Sequence, residues 1–532
     1  MTRQKTNKEI MMISPIKTIN LLILLFVFFI SGCAYEDIYN NPVSYGKPTQ
    51  VKDGLVLQER SSQDFTLLKV TSTGITSKKL FSFEEGENNY QYFTDDSNEK
   101  SSRLFALTNP ENSRDTELEF ALNVIDISTG DFTRYKIGSQ FKKHTFDKSN
   151  VNMILYHDGL STNTESIYNP NEIAILNTTE NPSGTNPMIM SLNTKGRIIQ
   201  DVQYIGKTKV GKTERDLFAF ITDNMIMLMD LNDKNHNVVN INLTQSSDNR
   251  TVVASQLKMI GAQGNFGPQI FIRANGAAEL FDIELSDDST SSAGYSTNLY
   301  LYDTGSTTNS FEVVNDNGEL ILVAVSSALS TITLFEVDSA ASFTISAERG
   351  LTKTNPRKQN NSDELLLYGD GTSSLYFLAV DNLLANKGEN LLKLTIPTGV
   401  NTPELIDDDR MAVFSYYSNT MTLVDFNTRE MSNIGIDSKY DYSDSILWED
   451  TYFVNGGSEL SYLNLATGHP QSMVTDEPVT ELYIFDSQKT GVAMHNAATG
   501  RATMFPLDSP KRSDAFIEDG FLVSGILNRE EN

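Results

Sequence analysis

Five histidines, His144, His157, His236, His469 and His495, and one cysteine, Cys33, make up the imidazole and thiol chemistry of the 532 residues. A zinc or iron centre needs several such donors converging, and no two of these histidines stand in an H-x-H or H-x-x-x-H spacing. No G-x-S-x-G elbow is present either. GKTKVGKT (206–213) satisfies the phosphate-loop pattern, with Lys212 and Thr213 in the expected slots. That chemistry requires a helix N-terminus after the loop, whereas ERDLFAFITD (214–223) reads as a strand; a lysine-rich hairpin is expected. Asp233-Lys234-Asn235-His236-Asn237 imitates the start of a calcium loop, but Val238 stands where the turn glycine belongs. Asp407-Asp408-Asp409 and the pair Asp441 and Asp444 offer oxygens to a hard cation and are expected to be solvated turns. Lys142-Lys143-His144 is expected on the surface. No catalytic, cofactor-binding or metal residue is assigned, and no cofactor is expected.

The single thiol has a different explanation. Leu21 to Ile30 is an unbroken apolar run preceded by Arg3, Lys5, Lys8 and Lys17. As a helix this run would reach about 15 Å at 1.5 Å per residue, half the roughly 30 Å of a bilayer's hydrocarbon core. A basic start, a short apolar segment and small residues at its end describe an export signal. Ile30-Ser31-Gly32-Cys33 then resembles the bacterial lipobox. That resemblance implies diacylglycerol transfer to the Cys33 thiol and cleavage before it, making Cys33 the first mature residue. Ala34 stands where aspartate retains many such proteins at the inner membrane, so the resemblance favours the outer membrane. Each buried methylene of an acyl chain contributes about 0.8 kcal/mol, and two or more chains anchor firmly. With Cys33 acylated, no thiol remains for a disulfide, and stability must come from the core.

Forty-two basic against sixty-nine acidic residues give a net charge of −27. Such a surface repels nucleic acid and anionic headgroups and favours solubility. A segment rich in proline and asparagine, AYEDIYNNPVSYGKPTQ (34–50), reads as an extended tether.

Beyond it the chain repeats itself. ALNVIDISTG (121–130) returns as MIMLMDLNDK (225–234), MTLVDFNTR (421–429), ELSYLNLATG (459–468) and GVAMHNAATG (491–500), with weaker copies elsewhere. An acid or amide recurs before the turn: Asp126, Asn177, Asp230, Asp282, Glu336, Asp425, Asn464 and Asn496. A short side-chain oxygen there accepts from N–H groups of the turn, and the glycine of STG or ATG supplies positive φ. These acids are expected to brace hairpins. Further strand candidates precede several copies, as in LFAFIT (217–222) and ELILVAVSS (319–327). Short strands separated by turn signals argue for an all-β fold, and 30–55 residues holding three or four strands is the size of a propeller blade.

The D-x-x-T-G pieces, as in DISTG (126–130), resemble turns of β-propellers of the WD40-like, YVTN and PQQ-like groups. The docking tryptophans of PQQ-type blades are missing, Trp448 being the lone tryptophan. The expected architecture is one large propeller of four-stranded antiparallel blades, seven to ten in number with eight favoured. Residues 1–32 are the signal, 33–50 the lipidated cysteine and tether, 51–527 the propeller and 528–532 a tail. VKDGLVLQ (51–58) and IEDGFLVSGIL (517–527) share an opening pattern, which suggests one blade built from both termini. The expected function is a non-catalytic binding or assembly scaffold in the bacterial envelope. It would be held by Cys33 lipid and offer a protein or glycan partner a propeller face. The alternative is a carbohydrate-active propeller enzyme with paired carboxylates in the channel. Metabolic labelling with a fatty-acid analogue should mark the wild-type chain and not Cys33→Ser; equal labelling would rule the anchor out.

Overall fold

In a computed structural model, the described residues are 46–510 except 60–62, 73, 85, 96–100, 111–118, 160–168, 245–249, 263–266, 340, 360–361, 387–388, 397–399, 416–419, 436–444, 456, 458, 476–477, 497–500 and 509. The signal, Cys33 and the segment 517–527 lie outside them. The described residues form ten antiparallel sheets, each a meander of strands consecutive in sequence. These are blades 1 to 10, spanning 49–81, 87–136, 143–191, 201–242, 253–303, 310–346, 353–395, 400–435, 445–474 and 481–506. Nine have four strands, and blade 10 has three among the described residues.

Why such short strands persist is clear from their sequence. In the second strand of blade 4 (Thr213–Thr222), Leu217, Ala219 and Ile221 point into the core shared with blade 5. Phe218 and Phe220 point into the core shared with blade 3. A strand covered on both faces reads as a continuous apolar run, while a half-exposed strand alternates. The fourth strands do alternate or turn polar: Ser342–Ser346 of blade 6 is exposed at every second residue.

Each apolar core belongs to two neighbouring blades, and following them traces a ring. Blades 1 and 2 share Val56, Phe65, Leu104 and Ala106; blades 2 and 3 share Phe105, Leu122, Met153 and Leu155. The succession continues without a gap to blades 9 and 10, which share Phe453, Leu460, Leu482 and Phe505. The last core joins blade 10 to blade 1: Tyr483, Phe485, Val492 and Met494 meet Leu55, Leu57, Leu68 and Val70. The protein is therefore a β-propeller of ten blades, not the eight the repeat pattern favoured. Every sheet has its own pair of neighbours.

Ring closure within the described residues rests on packing between blade 10 and blade 1. VKDGLVLQ supplies the first-strand end and second strand of blade 1, pairing Val51 with Gly54 within its own sheet. Among the described residues blade 1 has four strands, all within 49–81; 517–527 lies outside them. Face-to-face packing closes the ring, assisted by Gln50 Nε2 donating to Ile484 O at 2.6 Å and by the Lys47–Glu481 ion pair at 2.9 Å.

First strands contact one another between blades 1 and 2, 3 and 4, 4 and 5, 6 and 7, and 9 and 10, and fourth strands are the solvent-exposed ones, so first strands face the axis. Polar side chains stitch this inner ring. Thr145 Oγ1 donates to Val202 O at 2.7 Å, Gln256 Nε2 to Phe311 O at 3.2 Å, and Ser310 and Thr354 hydroxyls lie 2.7 Å apart. Truncating Phe485, which is 2% exposed at the closing interface, should cost about 3–5 kcal/mol. Leu329→Ser, at an exposed turn, should change stability by about 0.5 kcal/mol or less; denaturant unfolding of both variants would check this.

Candidate functional site

Turns joining first to second and third to fourth strands share one end of the ring, here the near rim. There the recurring acids act largely as expected. Asp126 Oδ1 accepts from Ser128 N at 2.8 Å and Thr129 N at 3.1 Å, and Gly130 takes φ +85°. Asn177, Asp425 and Asn464 accept from the same two-residues-on N–H, at 3.0, 2.8 and 3.1 Å. Glu336 takes the Ser339 hydroxyl. Asn496 ends its strand, and the turn it would brace lies outside the described residues. Its strand is second in its blade, so that copy of the repeat occupies a different place from the others.

Asp282 is the exception. It sits mid-strand in Glu279–Asp287, paired across to Tyr300, and is 1% exposed. Its Oδ2 accepts from Gln269 Nε2 at 2.9 Å, while Oδ1 is buried without a partner. Burial, together with Glu284 nearby, pushes its carboxyl up to about 7. The apolar frame AELFDIELS resembled the other copies closely enough to hide that no turn follows.

Arginines form a second near-rim device, each reaching into the next blade. Arg103 Nη2 donates to Asn150 O at 2.6 Å and Nη1 to Thr178 Oγ1 at 2.8 Å. Arg215 pairs with Asp230 at 3.0 Å and donates to Ala293 O and Gly294 O, both at 3.0 Å. Arg357 pairs with Glu364 at 2.6 Å in its own blade and Asp409 at 3.4 Å in the next; Arg429 returns to Glu364 at 2.6 Å. The acidic run 407–409 is thus a turn held by arginine: Asp407 pairs with Arg410 at 2.6 Å and accepts Asp409 N at 2.9 Å. Asp441 and Asp444 lie outside the described residues. Asp233 braces its own turn, accepting from Asn235 N at 3.1 Å and Asn237 N at 3.0 Å.

The histidines do not converge. His144 stacks on Phe93 with ring centroids 3.5 Å apart, and burial lowers its pKa to about 4. This corrects the surface reading of Lys142-Lys143-His144: the step lies half-buried between blades 2, 3 and 4, with Lys143 Nζ 3.3 Å from Gln200 O. His157 is buried 4.0 Å from Glu172, and burial lowers it too. His495 Nε2 lies 2.8 Å from Thr503 Oγ1. Among the described residues no group of three or more potential metal ligands assembles.

GKTKVGKT is the expected hairpin. Val210 pairs with Thr213 across Gly211-Lys212, with Gly211 at φ +60°, and a strand follows, not a helix. The feature that the phosphate-loop pattern hides is upstream. Gly206, at φ +126°, sits in a β-bulge that leaves Ile205 unpaired between Tyr204 and Gly206. A lone glycine within a strand pattern is the sequence signal for such a bulge. The bulge turns Lys207 to the same face as Tyr204, where Lys207 Nζ lies 3.7 Å from Asp216 Oδ2. Burial raises the pKa of Asp216, opposed by its hydrogen bond with Tyr204 and by Lys207. Burial and the same bond raise the Tyr204 phenol. These groups border a cleft of about 960 Å³ on the axial side of blades 3 to 5, lined by Thr145–Ser149, Val202–Lys207 and Met259.

No family model matches the chain, and no curated protein does. Among solved structures it is similar to a eukaryotic initiation factor (8% identity, 90% of this chain and 96% of that one, TM-score 0.43). It is also similar to the dihydro-heme d1 dehydrogenase NirN (9%, 69% and 73%, 0.37) and to the WD40 domain of fission yeast SCAP (8%, 68% and 94%, 0.36).

Asp282 makes stability depend on pH. Its folded pKa, about 7, exceeds its unfolded value of 3.8, so its contribution is full below about pH 4 and is lost as pH rises through 7. Asp282→Asn should match wild type near pH 4 and be the more stable at pH 8, by thermal unfolding across that range.

Proposed function

We propose that this chain is a lipid-anchored scaffold of the bacterial cell envelope, on the outer membrane. It binds a protein or glycan partner and carries out no chemistry on it. The observation that supports this reading is how the carboxylates of the first strands are used. Glycoside cleavage takes two carboxyl groups roughly 5–9.5 Å apart and free to meet substrate. Glu87 pairs with Arg134 at 2.5 Å and accepts from Thr108 at 2.6 Å. Glu404 accepts from Ser445 at 2.5 Å and Tyr452 at 2.8 Å, across the interface with blade 9. Glu312 is paired with Lys258, and Glu481 with Lys47. Each acid is a brace between strands or blades.

The near rim, held in place by arginine pairs and turn acids, is the face this reading offers to a partner. Photo-crosslinking residues placed at near-rim turns, such as Asp408 and Glu449, and at far-rim turns, such as Asn224 and Leu329, should give discrete adducts from near-rim positions only in intact cells. Adducts spread over both rims would contradict the assigned face. Polysaccharide cleavage abolished by Glu404→Gln would replace the scaffold with the enzyme.

A further inference from the structure

We propose that the cleft on blades 3 to 5 binds an amphiphilic organic anion, a carboxylate or phosphate ester carried on an apolar body. This goes beyond the scaffold reading and does not depend on it.

The cleft sorts its charges by exposure. Its acids are hidden: Asp147 is 2% and Asp216 3% exposed. Asp147 spends its carboxylate on its own turn, accepting from Ser149, Val151 and Asn152. Asp216 stands behind Lys207 and fixes that ammonium without facing the opening. The lysines are the opposite, with Lys148 exposed and the Lys207 side chain 56% exposed. In a chain of net charge −27, this opening presents two ammonium groups from two different blades.

The bulge makes that arrangement possible. In an unbroken strand Lys207 would face away from Tyr204; the extra residue brings both to one side. A side chain at Gly206 would stand 3.0 Å from Met259 Cε and press that wall inward. Apolar surface in the lining comes chiefly from the half-buried Ile205 and Met259 and the Tyr204 ring, beside the polar Thr145 and Gln203. A volume near 960 Å³ lies at the upper end for a single small-molecule site. An ion without an apolar body would leave Ile205 and Met259 wet, and a neutral amphiphile would leave the exposed Lys148 and the outward side of Lys207 uncompensated.

The test is calorimetric titration of the full chain, with and without lipid nanodiscs present, with hexyl phosphate, hexanoate, hexyl glucoside and inorganic phosphate. The hexyl anions should bind at least about tenfold tighter than the glucoside or inorganic phosphate, and more weakly as salt rises. Lys148→Gln with Lys207→Gln should weaken them about tenfold while leaving the melting transition in place. Met259→Ser should weaken the hexyl anions without strengthening inorganic phosphate. Competition by phosphatidic acid in the nanodisc would mark the ligand as a lipid headgroup; binding without competition would mark it as soluble. Glucoside binding equal to the anions, binding unchanged in the double lysine variant, or no binding would overturn the proposal.

Discussion

Every sheet in this protein is buried on both faces, and only its neighbours in the ring can bury it. That single constraint governs the rest. A lone four-stranded meander would leave both apolar faces in water; ten of them in a circle leave none, provided the tenth meets the first. The closing core therefore has to be as well packed as any other. Tyr483, Phe485, Val492 and Met494 set against Leu55, Leu57, Leu68 and Val70 meet that requirement. Among the described residues this closure is made by side-chain packing between two separate sheets.

Polar chemistry is subordinate to the same ring. Arginines at the near rim take acceptors in the next blade, and first-strand hydroxyls, amides and carboxylates bridge inward of the cores. Burying such groups without partners would cost about 1–3 kcal/mol each, so their pairing keeps ten wedges in register. Two departures matter most here: an unpartnered Asp282 oxygen between blades 5 and 6, and the bulge that turns Lys207 toward Asp216.

Much of this was legible in the residues. Alternation, turn acids and the glycines of STG and ATG identify the hairpins because those signals act within a few residues. The blade count was not legible, since copies of unequal quality, such as the buried-acid frame around Asp282, imitate one another without sharing a role. The mid-chain cleft was hidden for a related reason. Its parts come from a turn at 147–149, a bulge at 204–206 and Met259, and only the ring brings them together. Gly206 was visible inside a misleading phosphate-loop pattern, where its conformational meaning was masked by its motif.

The claim on which the account stands is that blade 10 touches blade 1. Lys47, exposed, and Glu481, half-buried, lie more than four hundred residues apart in sequence and form an ion pair at 2.9 Å across that seam. Carbodiimide coupling of the folded protein followed by peptide mass spectrometry should recover a 47–481 amide that disappears on denaturation and in Lys47→Met. Failure to find it, while the local Lys353–Asp370 pair at 3.2 Å does couple, would mean that the ring does not close.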